Sequence, residues 1–112
     1  MSGEMFPAGY AGKFLRVDLS EGTVTEERWD GRSLRKWVGG TGVGAKLLYD
    51  DVSPSVQWSD PDNRLIVAAG PLGGTSLMGT GTASFVTKGA MTGGATTTQA
   101  NGFMGAYMKF AG

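Results

Sequence analysis

Three stretches in the second half of the sequence carry the residue types best suited to touch a polar, anionic ligand. They are Gly70-Pro71-Leu72-Gly73-Gly74-Thr75-Ser76, Gly79-Thr80-Gly81-Thr82 and Thr96-Thr97-Thr98-Gln99-Ala100-Asn101-Gly102. Loops of this kind offer backbone N–H groups, hydroxyls and amides without side-chain bulk, so a ligand can approach the main chain closely. Asn101-Gly102 also precedes a segment with helical spacing, whose N-terminus would favour a phosphate or similar group. The same residues equally suit plain sheet and turn chemistry, since Thr favours strands and Gly favours turns.

A second glycine cluster, Gly39-Gly40-Thr41-Gly42-Val43-Gly44-Ala45-Lys46, invites a nucleotide reading. Gly40, Gly42 and Ala45 fit the G-x-G-x-x-G/A pattern at the start of a helix. The pattern needs a buried strand in front of it, and the preceding Leu34-Arg35-Lys36-Trp37-Val38 is charged. A phosphate-binding loop would need Lys directly after its last Gly, where this chain has Ala45. The cluster therefore reads first as a helix entry, with a nucleotide-binding module as the minor alternative.

No cysteine and no histidine occur in the 112 residues. That excludes, within this sequence, a cysteine-ligated iron–sulfur cluster, a Cys/His zinc site, a disulfide framework and a Ser-His-Asp or Cys-His nucleophile. The carboxylate pairs Glu26-Glu27 and Asp50-Asp51 are adjacent in sequence, so a regular element points their members apart, as solvated faces. Trp29, Trp37 and Trp58 read as packing residues rather than ligand stackers. No residue is assigned a catalytic or metal-ligating role.

The elements that must hold these loops follow from periodicity. Lys13 to Leu19 alternates for most of its length, the period of a half-buried strand, and Ser20-Glu21-Gly22 turns the chain. Thr23 to Trp29 then returns as the second strand of a hairpin. Ser33 is placed to cap a short helix through Val38, stopped by Gly39-Gly40. A second helix runs from after Thr41 to about Asp51, with Val43, Leu47 and Leu48 on one face and Lys46 and Asp50 pointing away. Leu65 to Ala69 is a short apolar run suited to an interior strand. Ser84 to Lys88 and Ala95 to Gln99 read as further strands. Phe103 to Phe110 has helical spacing but is apolar almost all round, as expected of a helix buried in a larger body. The mixture is α+β in one domain, 1–112.

Charge separates the two halves. All ten acidic residues lie between Glu4 and Asp62, and from Leu65 onward the only charges are Lys88 and Lys109. A free-standing domain carries mixed charge over its exposed surface, so the second half reads as covered by a ligand, another chain or further sequence. The 20 glycines are far above the usual share of about 7%, and because glycine brings no side chain to a core they suggest tight turns, close backbone contacts or a fold completed by another chain. Zero net charge gives no electrostatic case for nucleic acid or an anionic membrane. No apolar run approaches the roughly 20 residues of a spanning helix, and the first residues lack the pattern of a secretory signal. The default expectation is a cytoplasmic protein.

The order of motifs resembles the start of the aldehyde ferredoxin oxidoreductase family. The pieces are Gly9-Tyr10-Ala11-Gly12-Lys13, Leu15 to Leu19, Val38 to Tyr49, Asp62 to Ile66, Ala69 to Thr75, Val86-Thr87-Lys88 and Met108-Lys109-Phe110-Ala111-Gly112. The resemblance implies the β-rich N-terminal base of a tungsten enzyme that oxidises aldehydes to carboxylic acids and reduces ferredoxin. It implies a tungsten bis-pterin lying on that base, and a [4Fe–4S] cluster ligated elsewhere, in a larger catalytic polypeptide. This chain would be about the first half of the base, as a fragment, a subunit or a remnant. Thr82 stands where many members have an arginine contacting a pterin, and Gln99 where they have an asparagine near a bridging magnesium and phosphate. The implied local contacts are Thr82, Gln99 and Asn101, with Gly81 allowing close approach. A further expectation is a non-catalytic assembly subunit that self-associates or docks on a partner through 102–112.

Overall fold

The computed structural model describes residues 8–112. Most of the N-terminal stretch read above for a signal sequence lies outside these residues. Eight elements follow in order: β1 (Phe14–Asp18), β2 (Thr23–Glu27), α1 (Gly31–Trp37), α2 (Gly40–Asp51), β3 (Ile66–Ala69), β4 (Ala83–Lys88), β5 (Ala95–Ala100) and α3 (Met104–Phe110). They form a two-stranded sheet β1–β2 and a three-stranded sheet in the order β3–β4–β5, all pairs antiparallel. The architecture is α+β, as expected.

The β1–β2 hairpin has the expected alternation, but it faces the unexpected way. Leu15, Val17, Leu19 and Val24 are exposed. The opposite face turns inward through a charge: Arg16 donates to Asp51 at the end of α2 (2.8 Å) and to Glu27 on β2 (2.9 Å). Phe14 on the same face packs its ring against Trp29 at 5.2 Å between centroids. These ion pairs are well exposed, and pairs of that kind contribute about 1 kcal/mol or less, so they orient the hairpin more than they stabilise it. The apolar stripe is legible in sequence, and among the described residues it stays exposed.

Helix α1 is capped by Asp30 rather than Ser33. The Asp30 carboxylate accepts the Ser33 backbone N–H at 2.7 Å, which satisfies one of the open donors of the first turn. Hydrogen bonds from the Ser33 backbone and side chain, with nearby Arg32, hold the Asp30 carboxyl below its ordinary value of 3.8. A depressed carboxyl stabilises the fold above its unfolded value and loses that contribution as pH falls through the lower, folded value. Acidification below the ordinary carboxylate range is thus expected to fray α1 ahead of the sheet. Hydrogen exchange of the Ser33 and Leu34 amides against pH checks this, and Asp30→Ala should remove the pH dependence.

Between α1 and α2 the chain turns within two residues. Val38 adopts φ 67° and ψ −67°, a left-handed turn closed by Gly39 N–H donating to Trp37 O at 2.8 Å. A β-branched residue is strained there, and the Tyr10 hydroxyl helps hold it by donating to Val38 O (2.5 Å) and Leu34 O (3.2 Å).

Helix α2 lies across one face of the three-stranded sheet. Val43, Gly44 and Leu48 are buried, and Lys46 pairs with Asp50 on the outer side at 2.8 Å. Gly44 permits close approach, because a Cβ there would come within 2.5 Å of a Val86 methyl. Leu48, Val52 and Val86 form the core, with Val56 and Ile66 packed against it. Strand β3 pairs only with β4, so it is an edge rather than the interior strand expected from its apolar run. Helix α3 buries only its small side, Gly105 and Ala106, and turns Phe103, Tyr107 and Phe110 outward. The expected full burial of that helix is therefore not met among the described residues, where Phe110 touches the chain at Gly74 but stays largely exposed.

Candidate functional site

In an antiparallel sheet of this order, the end of β3, the start of β4 and the end of β5 lie together. The register confirms it: Ala69 pairs with Ala83, and Ala83 with Ala100. The β3–β4 loop and the loop following β5 therefore meet at one end of the sheet. These loops carry Gly70 to Ser76, Gly79 to Thr82, and Asn101 with Gly102, so those parts of the stretches singled out in sequence are brought together, while Thr96 to Ala100 run along β5 away from them.

The same end receives the N-terminus of α2. A Cβ on Gly39 would come within 2.9 Å of Ala69 O and 3.0 Å of the Gly70 Cα, and one on Gly40 within 3.3 Å of the Ser84 hydroxyl. The first glycines of the Gly39–Lys46 cluster thus act as spacers that seat α2 against the sheet end. Helix α1 precedes them instead of a strand, so the dinucleotide pattern lacks its context.

Side chains alternate along strands, so Ser84 and Val86 of β4 share the face covered by α2 with their partners Gln99 and Thr97 of β5. One step beyond the Ala83–Ala100 pair, the Thr82 hydroxyl donates to Asn101 Oδ1 at 3.3 Å. That leaves the Asn101 Nδ2 group to donate elsewhere. Gln99 is exposed and its side chain has no hydrogen-bond partner among the described residues. Sequence reading missed two neighbours, Thr41 and Ser84. Thr41, in the first turn of α2, bonds Ser84 Oγ at 3.3 Å and Thr97 Oγ1 at 3.2 Å. Ser84, 4% exposed, is the buried polar residue of the sheet. The available signal was the period-2 match of Thr97 with Gln99, once β5 was placed.

At Gly81 the close approach seen among the described residues is that of the protein's own backbone. A Cβ there would overlap Gly102 O, and Gly81 O accepts the Gly105 N–H at 2.8 Å. Its missing side chain is filled by the protein's own backbone. Open positions lie beside it: a Cβ on Gly70, Gly79 or Gly102 would meet nothing within 4 Å.

The site is uncharged at its surface. Lys109 reaches the same end from α3, donating to Pro71 O at 2.9 Å and Gly73 O at 2.7 Å, and burial pulls its ammonium below the ordinary value. No group of three or more acidic residues among the described residues could hold a metal ion. The two carboxylate pairs are spent on cations instead: Glu26 on Lys13, Glu27 and Asp51 on Arg16, Asp50 on Lys46.

Comparisons with known proteins agree on one class. The family model for the aldehyde ferredoxin oxidoreductase N-terminal domain matches residues 14–112. The chain is 42% identical over 104 residues to the tungsten-containing aldehyde ferredoxin oxidoreductase of Pyrococcus furiosus, covering 93% of this chain and 17% of that protein. It is 35% identical over 68 residues to the WOR-like subunit of an aliphatic sulfonate oxidoreductase from the same organism, covering 58% of this chain and 11% of that one. Among solved structures, the active site complex BamBC of benzoyl coenzyme A reductase, in complex with 1,5-dienoyl-CoA, superposes with a TM-score of 0.90 at 34% identity. That match covers 94% of this chain and 16% of the other. The chain belongs to the aldehyde ferredoxin oxidoreductase family, as its N-terminal domain. It spans about one sixth of the length of the curated relatives it matches over most of its own length.

Proposed function

We propose that this chain holds part of a tungsten bis-pterin cofactor within a larger aldehyde ferredoxin oxidoreductase and is not catalytic alone. The observation that carries the reading is the convergence of two small-residue loops, 70–82 and the one after β5, and the α2 N-terminus at one end of the sheet, with neutral donors exposed there. The residues fit such a group: Asn101 and Gln99 have amide donors to spare, and Gly70, Gly79 and Gly102 leave the main chain approachable. When bound, the metal and pterins supply the redox chemistry for oxidising an aldehyde to a carboxylate, with electrons passed to ferredoxin.

The work of this chain is positional. Thr82 orients Asn101 by accepting no charge and giving one hydrogen bond, so the amide is preset rather than ordered at binding. Gly81 keeps β4 tight against Gly102, which fixes Asn101 opposite Thr82. With no cysteine in its 112 residues, this chain offers no thiolate to a [4Fe–4S] cluster, which supports ligation of the cluster elsewhere in the enzyme. The named relatives act on an aldehyde, an aliphatic sulfonate and a benzoyl thioester, which supports a role in what they share rather than in substrate choice. No helix of the described residues is long and apolar enough to cross a membrane.

Replacing Gln99 and Asn101 together by Leu is the test. The change removes both amides at exposed positions, so the fold is expected to survive, and tungsten and pterin content in the assembled enzyme is expected to drop by about tenfold or more. Unchanged loading would remove these residues from the site. A second reading, a non-catalytic assembly subunit, is favoured by the outward Phe103, Tyr107 and Phe110 of α3. A cofactor-free multimer held by that helix would select it.

A further inference from the structure

We propose that Lys109 is a positioning residue that fastens the loop of residues 70–82 in the shape required to receive an anionic ligand. The inference rests on the cofactor-holding reading of that loop but makes a separate claim about what sets its shape. The loop leaves β3 at Gly70 and enters β4 at Ala83. Its two ends are both gripped by α3. At the near end the Lys109 ammonium donates to the carbonyls of Pro71 and Gly73, 2.9 and 2.7 Å away. The Phe110 ring sits under Gly74, whose φ is +80°, so that a Cβ there would lie 2.8 Å from a ring carbon. At the far end Gly81 O accepts the Gly105 N–H, and a Cβ on Gly105 would press on the carbonyls of Thr82 and Gly81.

Several features set Lys109 apart from a solvated surface lysine. It makes no ion pair among the described residues, and there is no acidic residue in the sequence after Asp62. Its charge is therefore shared with two carbonyl oxygens and not cancelled. Carbonyls drawn onto an ammonium are withdrawn from competition with an anion, while the positive charge behind the loop remains. Within the loop, Gly73 N–H donates to Gly70 O at 3.3 Å and Thr75 N–H to Leu72 O at 3.1 Å. These are tight turns that depend on the carbonyls between them staying where Lys109 holds them. The other cation of this half, Lys88, does the same at the far end of the sheet, donating to Ser53 O and Pro54 O. There it ties down the segment after α2, well away from the loops.

The test uses Lys109→Met and Lys109→Arg in the protein purified anaerobically in its native assembly, with two readouts. Hydrogen exchange of the Gly73 and Thr75 amides is expected to quicken by about tenfold or more in Lys109→Met, with β4 and β5 as protected as before. Pterin and tungsten content per chain is expected to fall to roughly half or less, through loss of a preorganised loop. Lys109→Arg, which keeps the charge and the donors, is expected to restore most of both. Unchanged exchange in the loop overturns the proposal whatever the cofactor content. Loss of protection across β4 and β5 as well also overturns it, since Lys109 would then be a general packing residue. If the loop opens and loading holds, the link between the loop's shape and the ligand is overturned. An unmodified protein without pterin would instead defeat the cofactor-holding reading, and the exchange result would still judge Lys109.

Discussion

Gly81→Ala is expected to detach α3 from the sheet end and to destabilise the chain by about 3 kcal/mol or more. Overpacking a core costs about 1–3 kcal/mol when neighbours can yield, and here the neighbour is the backbone carbonyl of Gly102 rather than the end of a flexible side chain. Moving that carbonyl also breaks the 2.8 Å bond from Gly105 N–H to Gly81 O, worth about 1 kcal/mol more. Gly105→Ala tests the same contact from the other side and sets two effects against each other. In a helix, Ala is favoured over Gly by about 1 kcal/mol, yet its Cβ would sit 2.6 Å from Thr82 O and 2.9 Å from Gly81 O. The clash with two carbonyls is expected to win, so both variants should unfold at lower denaturant concentration than the parent. Stability equal to the parent in either one would show that α3 does not clasp the loop as described.

The second large effect is expected at Leu48. This side chain is 6% exposed and packs with Val52, Val86, Val56 and Ile66 between α2 and the sheet. Leu48→Ala removes buried methyls and leaves a cavity, at a cost of about 2–5 kcal/mol. The upper part of that range is expected, because the chain buries few large side chains and its remaining core residues include Ala68, Ala83 and Ala106. Leu19→Ala is the matched control: Leu19 is 90% exposed on the hairpin, and its loss should change stability by about 0.5 kcal/mol or less. Denaturant unfolding followed by tryptophan fluorescence measures both. A Leu48→Ala variant as stable as the Leu19→Ala control would place the core elsewhere.

Much of this fold is legible because the local signals are strong. The hairpin, the α2 helix and the Ser84 and Ala95 strands follow from period and turn residues, and each lands within a residue or two of its expected bounds. Orientation is the part that sequence pattern does not carry. Leu15, Val17 and Leu19 mark an apolar face but say nothing of what it packs on, and in this chain Arg16 makes the inward contact instead. The same holds for α3, where the aromatic residues dominate the pattern while Gly105 and Ala106 make the packing. Small residues transmit little signal in a hydrophobicity reading, yet here they set the closest approaches.

The candidate site divides in the same way. Thr82, Gln99 and Asn101 are recognisable as donors on two stretches of chain, and the structure sets Thr82 beside Asn101, with the Ala83–Ala100 pair between them and Gln99. Thr41 and Ser84 come from elsewhere in the sequence and meet the site only through the α2–β4 packing that Gly40 and Gly44 allow. Gly81 shows the converse: a glycine expected to admit a ligand can be required by the protein's own backbone. Asp30 in place of Ser33 as the α1 cap is a smaller case, decided by a three-residue reach that both candidates could have met with different partners.

Native mass spectrometry of this chain, purified anaerobically without denaturation, tests the central claim most directly. The account predicts a species in which the chain travels with the remaining polypeptide of the enzyme and the added mass of a tungsten bis-pterin. A monomer or homo-oligomer of bare polypeptide mass, isolated under conditions in which a related enzyme keeps its cofactor, would contradict it.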